Sequence, residues 1–105
     1  MNNIFKDIPD KIPEELFEVL LENKNIKIER IVSFGHTTPE NEWYDQIKNE
    51  WVILLSGAAE LLFEDSDEAL KMEPGQYVFI PAHKKHRVVY TAKGKESVWL
   101  AIHFE

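Results

Sequence analysis

The sequence contains no cysteine among its 105 residues. Disulfide bonds, thiolate metal sites and a cysteine nucleophile are therefore excluded, and any metal must be held by nitrogen and oxygen atoms. The apolar runs are also short: the run 51–55 is among the longest, whereas a transmembrane helix needs roughly 20 apolar residues. Because no signal segment opens the chain either, we expect a soluble, cytoplasmic protein that does not bind membranes.

Positive charge is scarce as well. The chain has 12 Lys and Arg against 19 Asp and Glu, which gives a net charge of −7. Such a chain repels phosphate backbones, so we predict no nucleic-acid binding, and the local cluster Lys84, Lys85 and Arg87 is too small to reverse this. With 44% hydrophobic residues the chain can form one core, so we expect a single domain over residues 1–105.

Short apolar segments separated by turn residues indicate an all-β protein. Roughly eight to ten strands at fairly regular spacing are typical of a barrel or a sandwich. The turn 22–25 joins two of the predicted strands as a hairpin. Near the N-terminus, Pro13, Glu14 and Glu15 suit the first turn of a helix, so we predict a short helical turn there, although a strand from residue 17 is an alternative.

Two predicted strands carry polar residues at the point where they begin or end. Glu50 precedes the apolar run 51–55, and the stretch Pro81–His86 follows the apolar run 77–80. Strand ends from different parts of a barrel converge, and they can gather metal ligands or polar groups around a small cavity. Glu50 and His86 are therefore candidate site residues.

The second of these segments resembles a signature of the cupin superfamily. That signature reads glycine, five residues, proline, one residue, glycine, two residues, histidine. Gly75, Pro81 and His86 match it, and His83 stands where glycine is usual. Tyr90 stands where the family has asparagine.

This resemblance implies a double-stranded β-helix, or jelly-roll barrel. It covers roughly residues 26–104, which would form the barrel core, with residues 1–16 as an N-terminal arm. The chain looks like a group of small single-domain cupins often left without an assigned reaction. The resemblance therefore carries more information about the fold than about the function.

The first cupin segment is matched only in part, because its two histidines are absent. Counting back four intervening residues from Glu50 puts Trp43 and Asp45 in the histidine positions. Counting back three puts Tyr44 and Gln46 there. Strand alternation lets one pair face inward, but not both. Asp45 is the stronger ligand because it is anionic, whereas Gln46 would be a weak neutral oxygen ligand.

The resemblance implies a divalent metal held by Asp45 or Gln46 together with Glu50 and His86, beside a pocket for a small molecule. Nitrogen and oxygen ligands of this kind admit zinc, nickel, manganese or iron and discriminate poorly among them. The alternative is a non-catalytic module that binds a small ligand without metal. Whether the protein is an enzyme stays open at this point.

Three further residues are candidates for the surroundings of the site. His83 is read as a second ligand, as a partner that fixes the tautomer of a ligand, or as an ordinary turn histidine. His103 shares a strand face with the small residue Ala101, which would leave cavity space, although a core histidine bonded to the backbone is the preferred reading. Tyr44 either lines a pocket or fills the barrel.

Exposed sheet edges and a chain rich in aromatic residues favour a homodimer, because a partner often covers such edges. Proteins of the family that the chain resembles commonly pair in this way. The sequence does not indicate which surface would pair.

Overall fold

The computed structural model describes all 105 residues, which form eight antiparallel strands and no helix. The strands are β1 (Leu16–Glu22), β2 (Ile26–Ser33), β3 (Asn49–Ser56), β4 (Ala59–Phe63), β5 (Leu70–Met72), β6 (Tyr77–Ile80), β7 (His86–Thr91) and β8 (Ser97–Phe104). The prediction of an all-β protein is confirmed. No helix is present that would be long and apolar enough to cross a bilayer.

Two sheets face each other. One has five strands in the order β1-β2-β8-β3-β6, and the other has three strands in the order β5-β4-β7. The predicted hairpin is formed by β1 and β2, with Glu22 opposite Lys27 at its closed end. Most neighbours in the sheets are distant in the sequence, since β2 and β3 both pair with β8. Residues from opposite ends of the chain are thereby brought onto one inner surface.

The inner faces of the two sheets enclose the hydrophobic core. On β3, the alternate residues Glu50, Val52 and Leu54 are buried while their neighbours Trp51 and Ile53 are only half-buried, which is the pattern of a strand with one inward face. The buried apolar cluster that joins the sheets consists of Val52, Leu54, Ala59, Leu61, Met72, Ile80, Trp99 and Ala101. Glu50 is thus a charged residue in an inward position at the start of an apolar strand.

Gly57 ends β3 because no other residue fits there. It has a φ of +87°, and a Cβ added to it would lie 2.2 Å from the Oγ atom of Ser97. Glycine therefore serves both the left-handed backbone and the close approach of β8. This is the glycine that stands seven positions after Glu50 in the first cupin segment.

The helical turn predicted near the N-terminus is not formed. Residues 1–15 run without regular structure, and Pro13 and Glu14 lie in a bend directly before β1. The segment is held by Arg30, which is 5% exposed and whose guanidinium donates to the carbonyl oxygens of Ile4 at 3.0 Å and Lys6 at 2.6 Å. At residues 13–15 the chain instead leads directly into β1, where Leu16 pairs with Val32, and this extended backbone does not form the internal hydrogen bonds of a helix.

Candidate functional site

A cavity of about 80 Å³ lies between the two sheets, and residues from both sheets line it. One water molecule needs roughly 10–15 Å³ on this scale, so the cavity has room for several waters or a small organic molecule. Its apolar wall includes Val52, Leu61, Ile80 and Trp99. Its polar lining residues are Glu15, Glu29, Tyr44, Gln46, Glu50, His86 and His103.

Backbone hydrogen bonds hold the segment before β3 against the start of β7. The amide of Tyr44 donates to the carbonyl of His86 at 2.8 Å, and the amide of His86 returns a bond to the carbonyl of Tyr44 at 3.2 Å. The amide of His83 also donates to the carbonyl of Gln46, at 2.7 Å. The two segments that resemble cupin signatures are therefore direct neighbours, as the convergence of strand ends predicted.

His86 is held in a single tautomer by its own turn. Its Nδ1 atom lies 3.0 Å from the carbonyl oxygen of Lys84, and because a carbonyl can only accept, Nδ1 carries the proton. In the neutral ring the Nε2 atom therefore presents a lone pair, 3.9 Å from Oε1 of Glu50. The ring also stacks on Tyr44, with the ring centres 5.5 Å apart. This is the arrangement of an imidazole prepared to bind a ligand or a metal through Nε2.

The carboxyl group of Glu50 is in an unusual environment for a charge. The side chain is 8% exposed, and burial raises the pKa of Glu50 above its ordinary value, although His103, His86 and a hydrogen bond from Gln46 act in the opposite direction. Glu29 nearby adds to the increase. A buried carboxyl group with a raised pKa in a cavity is a feature of functional sites more often than of ordinary cores.

The structure settles which of the neighbours Asp45 and Gln46 lines the cavity. Gln46 does, and its Oε1 atom is buried without any hydrogen-bond partner in the protein. Asp45 points away: its side chain is 42% exposed and bonds Nδ1 of His83 at 2.9 Å. Of the four predicted ligands, Gln46, Glu50 and His86 are brought together, and Asp45 is not.

His83 lies outside the cavity, with 67% of its side chain exposed. Its φ of +64° places it in the left-handed region, which favours glycine and explains why glycine is usual at this position of the signature. Because its only side-chain partner is Asp45, it does not contact the candidate ligand His86 through its ring. Tyr44, in contrast, lines the cavity, which is the first of the two alternatives that the sequence left open.

His103 is buried, but its partner is not the backbone. Its Nε2 atom lies 2.8 Å from Oε1 of Glu29, and both side chains are 11% exposed. The preferred reading of a core histidine bonded to the backbone is therefore wrong, since a carboxylate takes that role. His103 and Glu50 are also direct partners across β8 and β3, so this second pair adjoins the first.

Sequence reasoning missed two acidic residues of the cavity, Glu15 and Glu29. The alternation of apolar and charged residues over 26–29 favours the two isoleucines as the inward residues, yet Glu29 is the one that lines the cavity. Glu15 lies outside any strand and accepts a hydrogen bond from the hydroxyl of Ser33; burial raises its pKa above the ordinary value. No local pattern distinguishes either residue from a surface glutamate.

The cavity residues form a set of three metal ligands only if the side-chain amide of Gln46 is one of the three. No three His, Asp or Glu side chains approach closely enough to form a metal-binding group. With Gln46 included, three residues with electron-pair donors line one cavity: Gln46, Glu50 and His86. The set matches the nitrogen and oxygen ligands of divalent ions, but its neutral amide and single imidazole predict weak binding.

Comparison with known proteins identifies relatives of this chain. A family model described as "Cupin domain" matches residues 32–103. A solved structure of a proposed mannose-6-phosphate isomerase from Ralstonia eutropha JMP134 is 43% identical, covers 100% of this chain and 97% of its own, and superposes with a TM-score of 0.96. No curated protein sequence matches the chain significantly.

More distant solved structures share the fold alone. An RmlC-like cupin family protein from Methanocaldococcus jannaschii, with a double-stranded β-helix fold, is 17% identical with a TM-score of 0.71, covering 93% of this chain and 86% of its own. The polyketide cyclase RemF from Streptomyces resistomycificus is 18% identical with a TM-score of 0.74, covering 88% and 66%. The predicted double-stranded β-helix is confirmed by these superpositions.

Proposed function

The chain belongs to the cupin family, and we propose that it binds a divalent metal ion through Gln46, Glu50 and His86, next to a small polar molecule in the barrel cavity. The observation that supports this most is the buried Oε1 atom of Gln46, which has no partner within the protein. Leaving a buried carbonyl oxygen unpaired costs roughly 1–3 kcal/mol, so a ligand in the cavity is the expected partner.

The protein residues would have separate roles in such a site. His86 is held by the Lys84 carbonyl and by the Tyr44 ring, so its Nε2 atom is oriented before any ligand arrives. Glu50 would bind the ion as the carboxylate, since a metal ligand must be deprotonated. When bound, the ion would supply a Lewis acid that polarises an oxygen atom of the small molecule. The donor set admits zinc, nickel, manganese or iron.

The cavity favours an uncharged or cationic ligand. It is lined by Glu15, Glu29 and Glu50 and by no Lys or Arg, so the protein itself would offer a phosphate group inside it like charge and no permanent counterion. The Ralstonia relative is named as a proposed isomerase of a sugar phosphate. If this chain acts on such a compound, the sugar end would enter the cavity and the phosphate would remain outside.

A second candidate function is binding of a small molecule without metal. Only one imidazole and one carboxylate accompany the Gln46 amide, and this poor donor set is the observation that favours it. Hydroxyl groups of a polar molecule would then satisfy Gln46 and Glu50 directly. Both functions use the same cavity, so metal content separates them.

The test is elemental analysis and metal titration by calorimetry, on protein purified without chelator or nickel resin. Glu50→Gln and His86→Ala remove two of the ligands, and Asp45→Asn is the matched control, since it changes an acidic residue of the same segment outside the cavity. We expect metal binding in the wild type and in Asp45→Asn, and a loss of at least about 100-fold in affinity in the other two, since each loses a charged or imidazole donor.

Equal binding in all four proteins would contradict the proposed ligands. If the wild type binds no metal under titration with zinc, nickel, manganese and iron(II), the metal site fails. A thermal-shift screen that then finds stabilisation by one class of uncharged metabolite would support the second candidate.

We further propose that the chain forms a homodimer through a sheet edge. Strand β1 lies at the edge of the five-stranded sheet, and Phe17, Val19 and Leu21 on it are each about half exposed. Apolar residues on an unpaired edge are typical of strands that a second chain covers. Light scattering coupled to size exclusion measures the mass directly, and a monomer at micromolar concentration would contradict this proposal.

A further inference from the structure

Glu15 is held at one end of the cavity by a chain of two hydrogen bonds. The indole Nε1 of Trp99 donates to Oγ of Ser33 at 3.3 Å, and the Ser33 hydroxyl donates to Oε2 of Glu15 at 2.5 Å. Trp99 and Ser33 are 3% and 0% exposed, so the carboxyl group is fixed to the buried wall of the barrel although Glu15 belongs to no strand. The metal ligands proposed above do not include Glu15. Its carboxyl group is therefore available to a second group in the cavity.

The protein itself provides no cation for Glu15. No Lys or Arg lines the cavity, and Glu15 forms no salt bridge. His36 is the only basic group whose charge lowers the pKa of Glu15, but its Nδ1 atom accepts a hydrogen bond from the amide of Phe34 at 2.8 Å. Because an amide N–H can only donate, Nδ1 carries no proton and the imidazole is neutral. The Glu15 carboxylate is thus without a counterion in the protein.

Aromatic rings accompany this carboxyl group. Phe17, Tyr44 and Trp99 line the same cavity, and Trp99 is linked to Glu15 through Ser33. The face of an aromatic ring attracts a cation, most strongly where water is excluded. An organic ammonium group uses both a carboxylate and aromatic faces, whereas a metal ion needs several nitrogen or oxygen ligands, and no three acidic or histidine side chains come together. The lining at Glu15 therefore fits an ammonium group better than a second metal ion.

The Glu15 end of the cavity, which consists of Glu15, Ser33 and Trp99, is separate from the metal end. Trp99 and His103 both lie on the inner face of β8 and are four residues apart in the sequence. At about 3.3 Å per residue, their backbone positions are about 13 Å apart. The metal ligand Glu50 pairs directly with His103 across β3 and β8. A cation at Glu15 and a metal ion at Glu50 therefore occupy different ends of the cavity.

We propose that the small molecule bound in the cavity carries an organic ammonium group, and that Glu15 selects it. This rests on the proposed function, since it assigns a ligand class to the same cavity. The ammonium group lies against the Glu15 carboxylate and the faces of the Tyr44 and Trp99 rings. An oxygen atom at the other end of the molecule faces the metal ligands. The volume of about 80 Å³ restricts the molecule to a few carbon atoms, as in a small amino alcohol.

The experiment compares ammonium compounds with uncharged compounds of the same shape. Ethanolamine is paired with n-propanol, and choline is paired with its analogue in which carbon replaces nitrogen. Protein NMR titrations at constant ionic strength measure the affinity for each compound, and metal content is measured in the same samples. We expect the wild type to bind at least one ammonium compound about tenfold or more tightly than its uncharged partner, from attraction by the carboxylate and the aromatic rings.

A matched pair of variants tests whether Glu15 is responsible. Glu15→Gln keeps an oxygen acceptor for the Ser33 hydroxyl but removes the charge, and we expect the preference for the ammonium compound to fall at least about fivefold. Its affinity for the uncharged partner should stay as in the wild type, which a merely structural role of Glu15 would not predict. Glu14→Gln makes the same change at an exposed neighbour outside the cavity and should keep the full preference.

The indole proton of Trp99 reports where the ammonium group binds. It is bonded to Ser33 and through it to Glu15, so its NMR signal should shift with the ammonium compound in the wild type and much less in Glu15→Gln. Trp51 alternates with the inward residues of β3, so its side chain lies on the outer side, and its indole signal should stay in place. Equal shifts of both signals would place the binding elsewhere and overturn the proposal.

The outcomes separate this proposal from the metal site. Equal affinities within each pair, or no binding of any of the four compounds, overturn the ammonium specificity. An unchanged preference in Glu15→Gln, or an equal loss in Glu14→Gln, overturns the role of Glu15. A preference that depends on Glu15 in protein that binds no metal would support this proposal while contradicting the metal site, and metal binding without any such preference would do the reverse.

Discussion

The same two chain segments form two histidine–carboxylate pairs that differ in almost every physical respect. The outer pair, Asp45 and His83, is hydrogen-bonded at 2.9 Å and has side chains that are 42% and 67% exposed. The inner pair, Glu50 and His86, is separated by 3.9 Å and has side chains that are 8% and 5% exposed. The pair with the better contact is therefore on the surface, and the buried pair is left open.

The comparison teaches that contact distance alone does not identify a site. An exposed ion pair gains little, since water and salt screen it and the side chains lose conformational freedom. A buried carboxylate and imidazole keep most of their electrostatic interaction, and a gap of 3.9 Å between their atoms leaves space for a third atom that bonds both. The inner pair has the geometry of an incomplete site, and the outer pair has the geometry of a surface contact.

The largest expected effect comes from removing the ring that supports the inner pair. Tyr44→Ala deletes the aromatic ring stacked on His86, and we expect a loss of about 2 kcal/mol in the free energy of unfolding, as for other truncations of partly buried aromatic residues. Tyr44→Phe keeps the ring and should lose at most about 1 kcal/mol, the value of one hydrogen bond. Urea denaturation measures both. Equal losses would show that the hydroxyl group, and not the stack, supports the site.

The second largest effect is a change in metal affinity that tests which of the neighbours Asp45 and Gln46 faces the cavity. Gln46→His places an imidazole in the cavity and should tighten metal binding at least about tenfold, because imidazole is a better ligand than a neutral amide. Asp45→His makes the same substitution on the outward side and should leave the affinity unchanged. Calorimetric titration of both variants with zinc measures this. Tighter binding by Asp45→His alone would reverse the assignment of inner and outer positions.

A smaller effect concerns stability and pH. The pKa of Glu50 is raised by burial above its ordinary value of 4.5, so the folded protein binds this proton more tightly than the unfolded chain. The folded state therefore loses stability as the pH rises from 4.5 through the raised pKa. Glu50→Gln removes this loss, and we expect it to be more stable than the wild type by about 1 kcal/mol at neutral pH, the scale of desolvating a poorly paired polar group.

The advantage of Glu50→Gln should vanish below the ordinary glutamate pKa, where the carboxyl group is protonated in both states. Urea unfolding across this pH range, with chelator present, measures the difference between the two proteins. Glu15 also has a raised pKa, but it is common to both proteins and cancels in the difference. A difference that stays constant with pH would contradict the raised pKa of Glu50.

The smallest effect is expected for the outer pair. A double-mutant cycle with Asp45→Asn and His83→Gln should give a coupling energy below about 0.5 kcal/mol, the usual value for exposed pairs, and it should decrease further in high salt. Thermal or urea unfolding of the four proteins of the cycle measures it. A coupling above about 1 kcal/mol would show that exposure has been a poor guide to the strength of this pair.

The fold could be predicted largely from the sequence because glycine, proline and apolar spacing act locally. Gly57 provides the left-handed backbone at the end of β3, and Pro81 and His86 stand six and eleven positions after Gly75. The N-terminal helical turn was wrong because the chain enters β1 at Leu16, which pairs with Val32, a residue distant in the sequence. Local propensity carries no information about such a partner.

The candidate site was predicted only where a strand carries it. Glu50 lies in β3 and His86 begins β7, and both face the cavity. Gln46 lies in a segment without regular structure, so strand alternation could not choose between Gln46 and Asp45. The orientation of this segment is fixed by the bridge between Tyr44 and His86 and by the hydrogen bond from the His83 amide to the Gln46 carbonyl. Glu29 became a cavity residue through pairing of distant strands, which no local pattern records.

The Arg30 contacts have a consequence for where the chain can be cut. The family match begins at residue 32, but β1 and most of β2 precede it, and β2 lies inside the five-stranded sheet, between β1 and β8. Arg30 in turn fastens residues as early as Ile4, at 3.0 Å. A fragment trimmed to the family match would expose one long side of β8, so we expect it to need the preceding residues in order to fold.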